Sequence, residues 1–396
     1  MFGFFIRLKF SPDFKLLCVY HTIVSLANGM IGLFLPIFLF QQFGYSIYWV
    51  IVFYMIGFAL YGTLIPFGAM LMNKLGLKRA MLLGRFFVIL FYLSLYFFQL
   101  HPLMFAVIAN INLLLFRIIY WTPYHTSFVE FTEGRYRGRQ MAWLAILGYL
   151  VSIGAPLLAG LILSQYSFSF LFVLVMIILM VSLIPLAGLT EVKAKFEFSY
   201  CQTFKELWRK KNRRWGMAYA ADGAQSMVGV VIWPIFIYQI LEGQYLAVGA
   251  VTALIVVATI ILQLFMGEYT DKLSKRRLIK IGSLVYALGW TAKAFVVTTF
   301  QIFVVGTFHS LGAVMLRTPF DAYYYDFLAN RGSYVDEYTV LRDISLNFGR
   351  VLMAVLIIIL ISLIGFPAAF ISAAILSLFL NLLPKKHGLL KTRSRR

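Results

Sequence analysis

Twelve apolar segments of about 18 to 28 residues divide this chain, and they leave it few ways to fold. They run approximately over 14–41, 46–72, 80–98, 102–130, 140–164, 167–189, 215–241, 245–266, 278–298, 300–328, 339–364 and 366–383. A helix rises 1.5 Å per residue, so about 20 residues cross roughly 30 Å of hydrocarbon. Barrel strands would be half as long and would alternate apolar with polar, which these segments do not. The 396 residues are 62% hydrophobic and 13% charged, with mean hydropathy +0.86, far too apolar for a soluble protein of this size. The expected fold is an all-α integral membrane protein with twelve transmembrane helices.

The net charge of +20 does not point to nucleic acid, because the bases lie in alternate loops and not on one soluble module. "NKLGLKR" (73–79), "EGRYRGR" (133–139), the 190–214 linker, "DKLSKRR" (271–277), the tail "KKHGLLKTRSRR" and the N-terminal Arg7, Lys9 and Lys15 share one side. The opposite loops, such as "QQFGYS", "QLHP" and "EGQY", hold no Lys or Arg. The positive-inside rule then places both termini in the cytoplasm, and the plasma (inner) membrane is the expected location. The first segment is too long for a cleaved leader and reads as a span. Cys18 and Cys201 fall on the cytoplasmic side, where a disulfide is not expected.

The chain is also written twice. An offset of 198 superposes "LPIFLFQ" (35–41) on "WPIFIYQ" (233–239) and "NKLGLKR" on "DKLSKRR". An offset of 196 superposes "TPYHTSFVEF" (122–131) on "TPFDAYYYDF" (318–327), and one of 194 sets Asn28-Gly29 over Asp222-Gly223. Four matches in one order imply duplication: an N-terminal six-helix half at 1–189, a cytoplasmic linker at 190–214, a C-terminal half at 215–384 and a basic tail at 385–396. The linker's aromatic stripe among bases fits either a short helix lying on the leaflet or a solvated connector. Two such halves with pseudo-two-fold symmetry about an axis along the membrane normal form a secondary-transporter architecture.

"AMLMNKLGLKR" (69–79) resembles the signature loop of the major facilitator superfamily, Gly-x-x-x-Asp-Arg/Lys-x-Gly-x-Arg/Lys-Arg/Lys. Asn73 stands at the Asp, Lys74 at the next base, Gly76 at the second Gly and Lys78 with Arg79 at the basic pair; Ala69 replaces the first Gly. The second copy, "GEYTDKLSKRR" (267–277), keeps Asp271, Lys272, Arg276 and Arg277 but has Ser274 at the second Gly. The architectural resemblance covers the whole chain. It implies alternating access by rocking of the two halves, and an inner gate of acid–base pairs at the cytoplasmic helix ends. Asn73, Lys74, Arg79, Glu130, Arg139, Asp271, Lys272, Arg277, Asp326 and Arg342 fall at such positions, with Glu130 and Asp326 equivalent in the repeat. Solvated interface charges are the alternative reading of the same set. "GYLVSIGAPLLAG" (148–160) partly resembles the helix-5 motif of exporting antiporters, although small residues at that spacing also serve helix packing.

A charge at the bilayer centre costs roughly 2.5–3.5 kcal/mol on insertion scales, so each one marks a candidate site. The candidates for substrate or ion coupling are Asn28, Arg117, Asp222, Arg317, Asp321 and Arg350. Arg317 and Asp321, four apart on one helix face, are expected to pair, as a neutralised charge or as a substrate site. Arg117 resembles the family's helix-4 arginine, with Trp121 where a glycine is usual, and an unpaired guanidinium would attract an anionic group. Asp222 can load and release a proton if desolvated, or serve packing. Lys293 is expected to snorkel outward. Pro36 and Pro234 are expected to kink the first helix of each half.

These features point to a carrier of a small organic solute, proton-coupled and leaning to efflux, working as a monomer in the lipid bilayer without cofactor or metal. No Gly-rich Lys-Ser/Thr phosphate loop is present, so ATP is not its direct energy source. A membrane enzyme is disfavoured: His125 and Glu130 diverge by about 140° around a helix, and no nucleophile accompanies them. A transporter-like sensor or lipid-handling protein is the remaining alternative.

Overall fold

The computed structural model describes residues 11–132, 137–193, 196–271, 274–329 and 335–382; the side chains of 129, 137–139, 141, 142, 145, 264–271, 275, 322–329 and 335 lie outside that description. Every regular element among the described residues is helical. The first half comprises α1 (Pro12–Gly32), α2 (Phe34–Gln42), α3 (Ile47–Leu75), α4 (Leu77–Tyr96), α5 (Pro102–Glu130), α6 (Arg137–Gln165) and α7 (Phe168–Ala187). After the linker helix α8 (Tyr200–Leu207) come α9 (Lys210–Met227), α10 (Trp233–Ile240), α11 (Tyr245–Asp271), α12 (Lys275–Lys293), α13 (Thr299–Ala329), α14 (Val335–Ile364) and α15 (Phe366–Leu378).

Among the described residues, ten helical segments are long and apolar enough to cross a bilayer. They coincide with the expected segments except the ninth and twelfth, where α12 and α15 lie. The shortfall in α12 has a plain cause: Lys275, Arg276, Arg277 and Lys280 occupy its first two turns, so little of its length is apolar. The α15 helix has only 13 residues before the chain tightens into a 3₁₀ turn, Phe379–Leu382.

Both proline expectations hold. Pro lacks an N–H and its ring crowds the carbonyl four residues back. Ahead of Pro36 the helix breaks at Leu33, between α1 and α2. Ahead of Pro234 it widens into a π segment, Val228–Ile232, between α9 and α10. The turn that follows also recurs at the 198 offset. Gly44 and Tyr45 have φ of 64° and 61°, and Glu242 and Gly243 have φ of 50° and 79°. Tyr45 N–H donates to the Phe40 carbonyl (2.8 Å), and Gly243 N–H donates to the Tyr238 carbonyl (2.9 Å).

The two halves meet along α3 with α14 and α6 with α11. Within the second half, α9 packs on α14 so closely that glycine is required on each. A Cβ on Gly223 would land on the Leu346 carbonyl, and one on Gly349 would land on the Ala220 carbonyl. At the end opposite the linker, Gln41 Nε2 donates to the Tyr238 and Tyr245 hydroxyls (2.5 and 2.6 Å), tying α2 to α10 and α11.

Part of the linker is a short helix, α8, with Cys201, Gln202 and Lys205 exposed, and part of it packs inward. Phe196 is 4% exposed and packs with Tyr61, Ile65, Val340 and Ile344 of α3 and α14, with Phe204 and Leu207 alongside. Ser199 caps α8 by accepting from Gln202 N–H (3.3 Å). The linker therefore closes an apolar cluster shared by both halves.

Candidate functional site

The site is built on three helices. From α3 come Phe58 and Tyr61, from α5 Arg117, Trp121 and His125, and from α14 Arg342, Asp343, Asn347 and Arg350, around a cavity of about 320 Å³. Spacing explains the set. Residues 117, 121 and 125 are one turn apart on α5, as are 343, 347 and, a turn on, 350 on α14, so each helix presents one polar stripe. Val230 of the π segment completes the wall. π segments gather at functional sites, since the extra residue re-aims the helix face.

Charges in the cavity fall into two groups. At one end Asp343 accepts from Arg342 Nε and Nη2 (3.1 and 2.9 Å) and from the Tyr61 hydroxyl (2.8 Å). The same Arg342 Nη2 lies 3.0 Å from His125 Nε2, and His125 stacks on Trp121. At the other end Arg350 donates to Ser226 Oγ (3.2 Å) and Asn347 Oδ1 (3.1 Å). Arg117 makes no hydrogen bond or ion pair among the described residues; its Nη1 is buried and without an acceptor. The Arg117 and Arg350 guanidiniums each lie 4.8 Å from the Phe58 ring centroid. Three arginines and one aspartate give the lining a formal net charge of +2.

Beside the cavity, the expected Arg317–Asp321 pair is not formed as an ion pair. Arg317 instead grips Asp222 with both terminal nitrogens, Nη2 to Oδ1 at 2.6 Å and Nη1 to Oδ2 at 2.8 Å, while Asp321 is exposed. The reason is reach: the long Arg317 side chain extends from α13 to the Asp222 carboxylate on α9 and meets it with its planar fork. A bidentate pair is stronger than a one-turn contact on a single helix. Gln225 Nε2 also donates to Asp222 Oδ1 (2.8 Å), and Gln225 Oε1 accepts from the Tyr286 hydroxyl (2.7 Å). Asn28 is exposed on α1 and stands outside the cavity lining.

Two further cations differ from expectation. Lys293 does not snorkel: it is 3% exposed, with Nζ 4.1 and 4.2 Å from the Trp233 and Trp290 ring centroids. Arg85 of α4, passed over in the sequence, is 1% exposed. Its Nε donates to the Tyr20 hydroxyl (2.6 Å), and its guanidinium lies 4.0 Å from the Tyr120 centroid. Both are held by aromatic faces, an arrangement worth about 2 kcal/mol or more when desolvated.

The gate set divides. Arg342 lies in the central cavity and not at the helix ends. Asn73 fastens the linker, donating Nδ2–H to the Phe196 carbonyl and accepting from Phe196 N–H, both at 2.7 Å. An aspartate there could only accept, which gives the departure from the signature loop a physical reason. Gly76, with φ 80°, lets the Glu191 carboxylate reach the start of α4, where it accepts from Lys78 N–H (3.0 Å) and Arg79 N–H (3.3 Å). Lys74, Arg79, Glu130 and Arg277 are exposed. The side chains of Arg139, Asp271, Lys272 and Asp326 lie outside the described residues. Near this end two buried acids that the sequence reading did not single out join elements: Asp336 accepts from Thr126 Oγ1 (2.5 Å), and Glu337 from Glu197 N–H (2.7 Å). Their missed signal is position, at the first turn of the segment that crosses under the linker.

The helix-5 stretch has a packing role. A Cβ on Gly160 would sit 2.7 Å from the Tyr245 carbonyl, and one on Gly249 would strike the Pro156 carbonyl, so α6 and α11 approach backbone to backbone.

Comparison with known proteins agrees with this architecture. The family model described as Major Facilitator Superfamily matches the chain twice, at residues 17–221 and 214–392. The protein is 22% identical over 273 residues to the "Uncharacterized protein YqgE" of Bacillus subtilis (strain 168). That match takes in 65% of this chain and spans only 62% of the relative's length. Among solved structures, the chain is similar to a Major Facilitator Superfamily transporter, FucP, in the outward conformation. The TM-score is 0.63 at 14% identity, over 98% of this chain and all of that one. With its multiple apolar helices and a family match over nearly its whole length, the chain is a multi-pass membrane protein and belongs to the Major Facilitator Superfamily.

Proposed function

We propose that this protein is a secondary active transporter that moves a small organic solute by alternating access, with two six-helix halves, 1–189 and 215–384, rocking about the central cavity. The observation that carries the reading is the cavity itself: a polar, charged space inside an apolar bundle, with Arg117 from one half and Arg342 and Arg350 from the other. Charges are kept inside a membrane where they serve a pathway, and transporters of this architecture bind at the interface of their repeats. The Gln41 contacts with Tyr238 and Tyr245 support an arrangement closed at the end opposite the linker. That end is the outer face by the distribution of basic loops, with both termini cytoplasmic in the plasma (inner) membrane.

Proton coupling is part of the proposal. Protonating Asp222 would release Arg317 from its bidentate pair, and the two residues sit on different helices that can separate. Export is the direction we favour on the helix-5 motif, although packing accounts for the same residues. The test is flux into proteoliposomes under an imposed pH gradient. Asp222→Asn is expected to abolish gradient-driven flux while sparing solute exchange at equal pH. Unchanged driven flux in this variant would remove Asp222 from the coupling.

A further inference from the structure

A carrier reading leaves the chemical class of its solute open, and the cavity narrows it. Arg117 and Arg350 reach one aromatic ring, Phe58, from different helices, α5 and α14. A guanidinium offers five N–H donors. Arg350 spends two on Ser226 and Asn347, and Arg117 spends none on any described residue. The cavity's one aspartate is already committed to Arg342 and Tyr61. Removing a cation from water costs several kcal/mol unless an opposite charge and hydrogen bonds replace the water. Among the described residues neither is supplied to Arg117.

Resting on the carrier reading, we propose that the cavity binds a small organic anion whose acidic group, a carboxylate or a phosphate, lies between Arg117 and Arg350. The planar forks of the two arginines suit an oxyanion that accepts pairs of parallel N–H bonds. Trp121, Tyr61 and Phe58 supply apolar and aromatic surface for the rest of the molecule. At about 320 Å³ the space holds a solute of roughly ten heavy atoms, taking about 30 Å³ for each as for water. The formal net charge of +2 on the lining admits a dianion as well as a monoanion, and disfavours cations by like-charge repulsion.

The test is binding to the purified full-length protein in detergent, by titration calorimetry with four probes of matched size: benzoate, phenyl phosphate, benzyl alcohol and benzylamine. The expected result is binding of benzoate, phenyl phosphate or both, with no binding of the alcohol or the amine. Comparison of the two anions separates a carboxylate site from a phosphate site. Arg117→Gln and Arg350→Gln should each weaken the anion about ten- to a hundredfold, the loss of charge-assisted hydrogen bonds. Arg117→Lys and Arg350→Lys keep the charge but not the fork, so they should fold if a Gln variant does not, and should bind more weakly than wild type. Preference for the alcohol or the amine, binding of none of the four, or anion binding indifferent to both arginines would overturn the proposal. Gradient-driven flux of a neutral or cationic solute would overturn the anion site and leave the carrier intact. Anion binding without flux under any gradient would do the reverse.

Discussion

Arg317 and Asp222, 95 positions apart in the chain, form a bidentate ion pair at 2.6 and 2.8 Å, although Asp321 lies one turn from Arg317 on its own helix. The pair joins α9 to α13 in the wall beside the cavity and leaves Asp321 exposed. Breaking one member of a buried pair strands the other charge, at a cost of about 3–5 kcal/mol, whereas removing both together costs much less.

Arg317→Gln strands the buried Asp222 and is expected to lower stability in detergent by about 3 kcal/mol, whereas Asp222→Asn strands an arginine that is 35% exposed and should cost less, about 1–2 kcal/mol. The double variant should recover more than half of the summed loss, and Asp321→Asn should stay within about 1 kcal/mol of wild type. Thermal unfolding of the four variants checks this. Additive losses, or a large effect at Asp321, would contradict the assignment.

The two-way bond between Asn73 and the Phe196 backbone predicts that the linker is held by an amide and not by a charge. Asn73→Ala should expose the linker to trypsin, with faster cleavage after Lys193. Asn73→Asp, which can only accept, should fall between the two. A cleavage rate unchanged in the alanine variant would show that the linker is held by Phe196 packing and Glu337 alone.

Gly223→Ala and Gly349→Ala place a methyl group on a facing carbonyl and must push α9 from α14. Each should cost about 1–3 kcal/mol or more, as overpacking does. Gly154→Ala, where nothing lies within 4 Å, is the matched control and should be neutral. Equal behaviour of the three in a stability screen would count against the close α9–α14 contact.

Lys293, enclosed by Trp233 and Trp290, should resist a membrane-impermeant amine reagent in intact cells. Labelling comparable to that of an introduced surface lysine would restore the snorkelling picture.

The helical membrane fold and the proline breaks were legible in the sequence because each rests on local chemistry: run length and a missing N–H. Arg117, Arg350 and Arg342 were legible as charges in apolar segments, but their grouping was not. Arg342 was placed at the gate as the base that follows Asp326 at an inner helix end, whereas it lines the cavity one helix on, in the third turn of α14. The partner of Arg317 was not legible because i,i+4 spacing is visible within one helix, while Asp222 stands on another helix 95 positions away. Arg85 and Lys293 show the same limit. Aromatic faces compensate a cation as a carboxylate does, and in a chain with 17% aromatics no sequence pattern says which rings will do so.

The central claim is alternating access through the cavity, and the contact between Gln41 and Tyr245 gives it a direct test. In a chain with Cys18 and Cys201 replaced by serine, cysteines at positions 41 and 245 are joined by a short, reducible thiol cross-linker, and solute flux into proteoliposomes is measured before and after reduction. Cross-linking should stop flux and reduction should restore it, since the two halves must part at this end to pass solute. Full flux with the cross-link complete would contradict the account.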